Sequence, residues 1–138
     1  MADRTSLTPL ELVRAIGGVA LGGALGTLVR DLCLKWSPAV AAGASWTQHI
    51  PWVLLAINLV GVYGATWALR GPLRHREPND IGRLVAITGF FGGFTSYSSL
   101  FVSLAAIWHL SVAGAVLTGT GAVLSGVVVA AVALRASR

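Results

Sequence analysis

One apolar stretch of this chain, from about Ile81 to His109, contains the run Gly89-Phe90-Phe91-Gly92-Gly93-Phe94-Thr95-Ser96-Tyr97-Ser98-Ser99-Leu100. Three glycines and four serine or threonine hydroxyls stand where a plain lipid-facing helix would carry leucine and valine. Glycine costs about 1 kcal/mol per residue in a helix interior relative to alanine, and serine and threonine compete for backbone hydrogen bonds. The run therefore predicts a helix that unwinds locally near Gly92 and Gly93. Unwound backbone at membrane depth persists only where it is buried in protein or lines a wet cavity. Free carbonyls beside a strip of hydroxyls are the chemistry of an ion site. Small residues equally let helices pack closely, and composition alone leaves these two readings level.

Two further polar side chains stand out. Asn58 is the only strongly polar group in its apolar run, and a buried amide must find partners. It serves either as one end of an interhelical hydrogen bond or as a donor facing a pore. Arg30 closes the first apolar run, a usual place for an interface anchor. The absences are as informative. No Asp or Glu lies deep in any apolar run, whereas proton-coupled exporters use an intramembrane carboxylate or histidine relay; Glu11 sits in a first turn near the interface. His49, His75 and His109 fall at the ends of runs and form no metal pair. Cys33 is alone, so a disulfide framework and a cysteine metal site are excluded. No nucleophile, base and acid set is present, and the chain is expected not to be an enzyme.

The elements that must position these groups follow from composition. The chain has 138 residues, is 55% apolar and 11% charged, and holds 17 glycines, which is a membrane composition. Its net charge of +5 clusters between apolar runs, as juxtamembrane charge does, rather than forming the stripe that nucleic acid requires. The expectation is a single all-α transmembrane domain over residues 1–138, with spans at about 10–30, 51–69, 82–108 and 110–134. Thr8-Pro9-Leu10-Glu11 is a capping box with proline at the first helical position. Gly18, Gly22 and Gly26 recur every fourth residue and predict close helix contact. Residues 31–50 are expected to form a loop, and 70–80 a short basic one. On the fourth span Gly114, Thr118, Ala122 and Gly126 predict a second packing face, with Thr118 and Ser125 as weak additions to a pore. Trp36, Trp46, Trp52 and Trp108 near one side and Trp67 near the other suit interface belts. The first apolar run is too long, and lacks the cleavage site, for a removable signal peptide.

Four spans put both termini and the middle loop on one side. That side carries Arg4, Arg14, Arg70, Arg74, Arg76, Arg83, Arg135 and Arg138, against Arg30 and Lys35 opposite. A split of eight to two sets both termini in the cytoplasm of a multi-pass protein of the cell membrane.

The run Gly92-Gly93-Phe94-Thr95-Ser96-Tyr97-Ser98-Ser99-Leu100 resembles the third-helix signature of the Fluc (CrcB-type) fluoride channels, a double glycine followed by Thr-Thr-Phe-Ser-Thr-Phe. Gly22-Gly23-Ala24-Leu25-Gly26-Thr27-Leu28-Val29-Arg30 is similar to that family's first-helix Gly-Gly-x-x-Gly-x-x-x-Arg. Asn58-Leu59-Val60-Gly61 is similar to its second-helix Asn-x-x-Gly. The resemblance implies a passive fluoride channel that lowers cytoplasmic fluoride, built as an antiparallel dimer. It implies a structural Na+ at the dimer centre, held by the backbone carbonyls of Gly92 and Thr95. The implied ion pathway comprises Asn58, Ser96, Ser98, Ser99 and the two phenylalanine positions, here Tyr97 and Leu100, with Arg30 in the vestibule. Phe101 points roughly 100° from Leu100 on a helix and is a poor substitute for the missing ring. A strong charge bias and half an aromatic box together suggest one half of a heteromeric pair with an oppositely oriented second subunit. The alternatives are a non-conducting structural subunit and a small proton-coupled exporter.

Overall fold

The structure, a computed structural model, describes residues 8–136; Arg4 and Arg138, both in the charge count, lie outside the described residues. Helix α1 spans Pro9–Leu34. The Thr8 hydroxyl accepts from the Glu11 N–H at 3.3 Å while the Glu11 carboxylate accepts from the Thr8 N–H at 2.8 Å, which closes the expected box. The helix does not stop at Arg30, the expected end of the first span. No glycine or proline follows Gly26 until Pro38, so the polar residues Arg30 and Asp31 stay helical and the loop starts at Lys35 rather than at 31.

A short 3₁₀ turn, Trp46–His49, leads to α2, Trp52–Arg70. The 19 residues of α2 rise about 28 Å at 1.5 Å each, close to the thickness of a hydrocarbon core. Asp80 then caps the third span: its carboxylate accepts from the Arg83 N–H at 3.1 Å and pairs with Arg76 at 3.0 Å. The first half of that span, α3, is wound in three consecutive pieces. An α turn Ile81–Arg83 passes into a π-helical segment Leu84–Phe91 and closes with Gly92–Phe94. After a break at Thr95 and Ser96 the second half, α4, runs Tyr97–Trp108. Ser111 accepts from the Gly114 N–H at 3.0 Å as α5 begins at Val112 and continues to Ala136, two residues beyond the expected start and end.

Every long element among the described residues is helical, and four segments are long and apolar enough to cross a membrane. Helix α1 lies along α3, while α2 and α4 both pack on α5. The centre of the α1–α3 seam sets main chain against main chain. A methyl group added at Gly22 would strike the Val85 carbonyl, and one at Gly26 the Phe90 carbonyl. The expected glycine face of α1 is therefore real, and it works by bringing two backbones together. The α5 face is less uniform. Gly114 carries the Trp46 indole and Thr118 is buried, whereas a side chain at Gly126 would meet open space. Leucines and valines on the outer faces, among them Leu21, Leu25, Val127 and Val128, stay exposed, as a lipid-bathed surface requires.

Candidate functional site

Asn58, Gly61 and Gly64 lie three residues apart, on neighbouring positions of one face of α2. Gly61 meets the Thr95 methyl and the Phe94 ring, and Gly64 meets the Phe91 ring. Asn58, a turn earlier, bonds the backbone of Ser96 twice. Its Oδ1 accepts from the Ser96 N–H at 2.8 Å and its Nδ2 donates to the Ser96 carbonyl at 3.4 Å. The spacing Asn-x-x-Gly thus has a local purpose: glycine admits the incoming chain and the amide takes the place of the helical partners that Ser96 gives up.

The break that results is displaced from the glycines. Gly92 and Gly93 are themselves helical, and the chain turns extended at Thr95 (φ −83°, ψ 147°) and Ser96 (φ −146°, ψ 106°). Gly93 is immobilised because its backbone lies against Gly23 of α1, where a methyl group would strike the Gly23 carbonyl. The first residue free to leave the helix is Thr95, and Asn58 receives the one after it.

Hydrogen bonds at the break sort its polar groups. In a continuous α-helix the Gly92 carbonyl would accept from the Ser96 N–H, and the Thr95 carbonyl from the Ser99 N–H. Here the Ser96 N–H goes to Asn58, and the Ser99 N–H goes to the Ser96 hydroxyl at 3.2 Å. Both carbonyls lose their helical donors. The Gly93 carbonyl accepts instead from α1, from the Thr27 hydroxyl at 3.4 Å and the Arg30 guanidinium at 3.3 Å. Thr95 turns its hydroxyl back to the Phe91 carbonyl at 2.9 Å. The first N–H groups of α4, on Tyr97 and Ser98, begin a helix and so have no intrahelical acceptor.

The hydroxyls gather around Ser96, which is buried. Its Oγ lies 2.8 Å from Ser99 Oγ and 3.2 Å from Ser98 Oγ. Ser103, one turn further, donates to the Ser99 carbonyl at 3.1 Å. The two former aromatic positions separate. Tyr97 is 66% exposed and Leu100 only 5%, with Leu100 turned to a small cavity of about 30 Å³ that Asn58, Tyr97 and Ser125 also line. Phe101 is exposed on the other side, away from Leu100 as helical geometry predicts. Arg30 is joined to Asp31 at 3.3 Å, and its side chain is 19% exposed.

The structure thus brings Asn58, Ser96, Ser98, Ser99 and Leu100 together with Gly92 and Thr95 nearby, and sets Tyr97 outward. Thr118 and Ser125 turn their hydroxyls to carbonyls of their own helix, Gly114 at 2.8 Å and Ala122 at 3.0 Å, although Ser125 lines the small cavity beside Leu100. Thr27 and the Gly93 carbonyl were not among the expected residues. The signal for Thr27 lay in its position four residues after Gly23, on the face that touches α3. Among the described residues no group of three His, Cys, Asp or Glu side chains converges, so the oxygen ligands on offer are carbonyls and hydroxyls.

Over residues 18–136 the sequence matches the family described as CrcB-like protein, Camphor Resistance (CrcB). It is 36% identical over 126 residues to the fluoride-specific ion channel FluC 1 of Cutibacterium acnes, covering 85% of this chain and 84% of that protein. It is 31% identical to the fluoride-specific ion channel FluC of Mesorhizobium japonicum, covering 84% of this chain and 86% of that one. With the fluoride-specific ion channel FluC 2 of Leifsonia xyli the identity is 39%, over 72% of this chain and 67% of the relative.

Proposed function

The chain belongs to the CrcB family, and from that premise we propose that it is a fluoride-selective passive channel subunit, one half of an antiparallel heteromeric dimer that lowers cytoplasmic fluoride. The observation that carries the reading is the broken third span: polar backbone is held open at Thr95 and Ser96 by Asn58 at a depth where an unbroken helix would cost nothing. Fluoride is small and strongly hydrated, so a path must replace its water with donors. The N–H groups at the start of α4, the Asn58 amide and the hydroxyls of Ser96, Ser98 and Ser99 are such donors. Tyr97 adds a ring edge, which is the positive rim of an aromatic quadrupole, and its outward position suits a pore completed by a second subunit. Arg30 supplies positive charge to the vestibule.

The residues present fit a structural Na+. A hard cation takes oxygen ligands, and backbone carbonyls stripped of their N–H partners are the form in which membrane proteins offer them. Gly92 and Thr95 would hold it. Bound there, the ion supplies positive charge and a tie between broken helices. Two carbonyls from one chain fill only part of a coordination shell, which supports a site shared across a dimer axis.

A heteromer rather than a homodimer is supported by the eight-to-two charge bias, which fixes one orientation with both termini cytoplasmic, and by Leu100, which turns no ring toward Asn58. Leu100 also favours a second reading, a non-conducting subunit that completes its partner's pore. Fluoride efflux from liposomes holding the mixed pair separates them: Asn58→Asp in this chain lowers it if this chain lines the path, and leaves it unchanged if this chain only completes the partner's pore. The proposal expects flux from the pair of subunits mixed, driven by the fluoride gradient and membrane potential. Flux that requires a pH gradient would make the protein a proton-coupled exporter and overturn it. Terminal tags found equally on both faces of the membrane would overturn the fixed orientation.

A further inference from the structure

We infer that Thr27 and Arg30 are positioning residues, a clamp from α1 on the Gly93 carbonyl that sets the shape of the break. Gly23, Thr27 and Arg30 fall at i, i+4 and i+7, on one face of α1. Gly23 meets Gly93 backbone to backbone, which carries Thr27 and Arg30 alongside the released carbonyls. Two donors then converge on one oxygen, the Thr27 hydroxyl at 3.4 Å and the Arg30 guanidinium at 3.3 Å. Asp31 holds the Arg30 Nε at 3.3 Å, so the planar fork spans from the carboxylate to the carbonyl. A lysine, with a point charge, cannot make both bonds in that geometry.

The clamp distinguishes Gly93 from its neighbours. Gly93 would otherwise present a bare carbonyl between those of Gly92 and Thr95. Capped from α1, it is directed into the protein and withdrawn as a ligand, and the peptide that follows it is held while Asn58 holds Ser96 on the opposite side. The clamp on α1 and the amide on α2 therefore pin the break from two helices. Arg30 acts on the ion site through the backbone, in addition to lending charge to the vestibule.

This inference rests on the cation site proposed above, and its test uses thermal unfolding of the purified membrane protein in detergent as well as flux. The melting temperature is measured against NaCl, with choline chloride keeping ionic strength constant. Thr27→Val and Arg30→Lys should each raise the Na+ concentration for half-maximal stabilisation about threefold to tenfold, the size of one lost hydrogen bond. Thr27→Ser, which keeps the hydroxyl, should restore the wild-type midpoint. An effect confined to a uniform drop in melting temperature at every Na+ concentration would reduce both residues to packing and overturn the inference, as would a wild-type protein indifferent to Na+. A shifted Na+ midpoint in a protein that passes no fluoride would preserve the clamp and remove the channel. Normal fluoride flux with unshifted midpoints would do the reverse.

Discussion

Replacing Asn58 separates the two things the side chain can do at the break. Asn58→Leu keeps the volume and removes both bonds to Ser96, at 2.8 and 3.4 Å. The Ser96 N–H and carbonyl are then unpaired in a low-dielectric interior, at roughly 1–3 kcal/mol each. The broken geometry loses about 2–6 kcal/mol in sum, against an alternative in which Ser96 returns to the helix. If conduction needs the break, flux falls by at least about 30-fold, since each 1.4 kcal/mol is a factor of ten. Asn58→Asp keeps the acceptor for the Ser96 N–H but turns an oxygen toward the Ser96 carbonyl. It also sets a negative charge beside the anion path: at about 6 Å and an effective dielectric of 20 the repulsion is roughly 3 kcal/mol, about 100-fold in rate. Fluoride efflux from liposomes, read with a fluoride electrode after a potassium ionophore sets the voltage, measures both. Wild-type efflux in Asn58→Leu would refute the claim that the amide keeps the path open. Wild-type efflux in Asn58→Asp alone would move the anion away from this residue.

Three other perturbations test the surrounding structure. Gly26→Ala drives a methyl onto the Phe90 carbonyl and should cost about 1–3 kcal/mol or more by overpacking, whereas Gly126→Ala meets nothing and should raise the melting temperature slightly, since alanine is about 1 kcal/mol better than glycine in a helix interior. Leu100→Phe restores a ring beside Asn58 at a cavity of about 30 Å³, and should raise the fluoride flux of the mixed pair of subunits; unchanged flux would detach the ring from function. The Asp80 carboxyl is held below its ordinary value chiefly by the Arg83 N–H, with the hydrogen bond and charge of Arg76 adding to it against partial burial. Its folded-state pKa is depressed, so its contribution is complete above the ordinary carboxylate range and is lost as pH falls through the depressed value; Asp80→Ala should lower the melting temperature at neutral pH and abolish that acid-side loss.

Local signals in the sequence reached the helices and the capping box, because Thr8, Pro9 and Glu11 interact only with one another and with their own turn. They also reached the glycine face of α1, since Gly22 and Gly26 repeat at helical spacing. They gave the existence of a break but misplaced it by two to three residues. Glycine propensity is local, whereas the break is located by Gly23 pressing on Gly93 and by Asn58 bonding Ser96, contacts 70 and 38 positions apart in the chain. The π-helical winding of Leu84–Phe91 left no mark in the sequence, because that run has an ordinary apolar pattern and its winding accompanies the close approach of α1. For the same reason Thr27 was legible as a small residue and not as a donor. Its acceptor exists only once α3 is beside it.

The seam between α1 and α3 has a mechanical consequence. At Gly22, Gly23 and Gly26 its contacts are peptide groups on both sides, and amide planes have no rotamers to exchange. The two helices are bound to travel as a single stiff strut, with no sliding register between them. Any breathing of this half of the molecule is thereby confined to the segment after Ser96, where α4 and α5 meet through side chains that can turn. Deuterium uptake should reveal this as one late-exchanging pair of helices next to an early-exchanging pair.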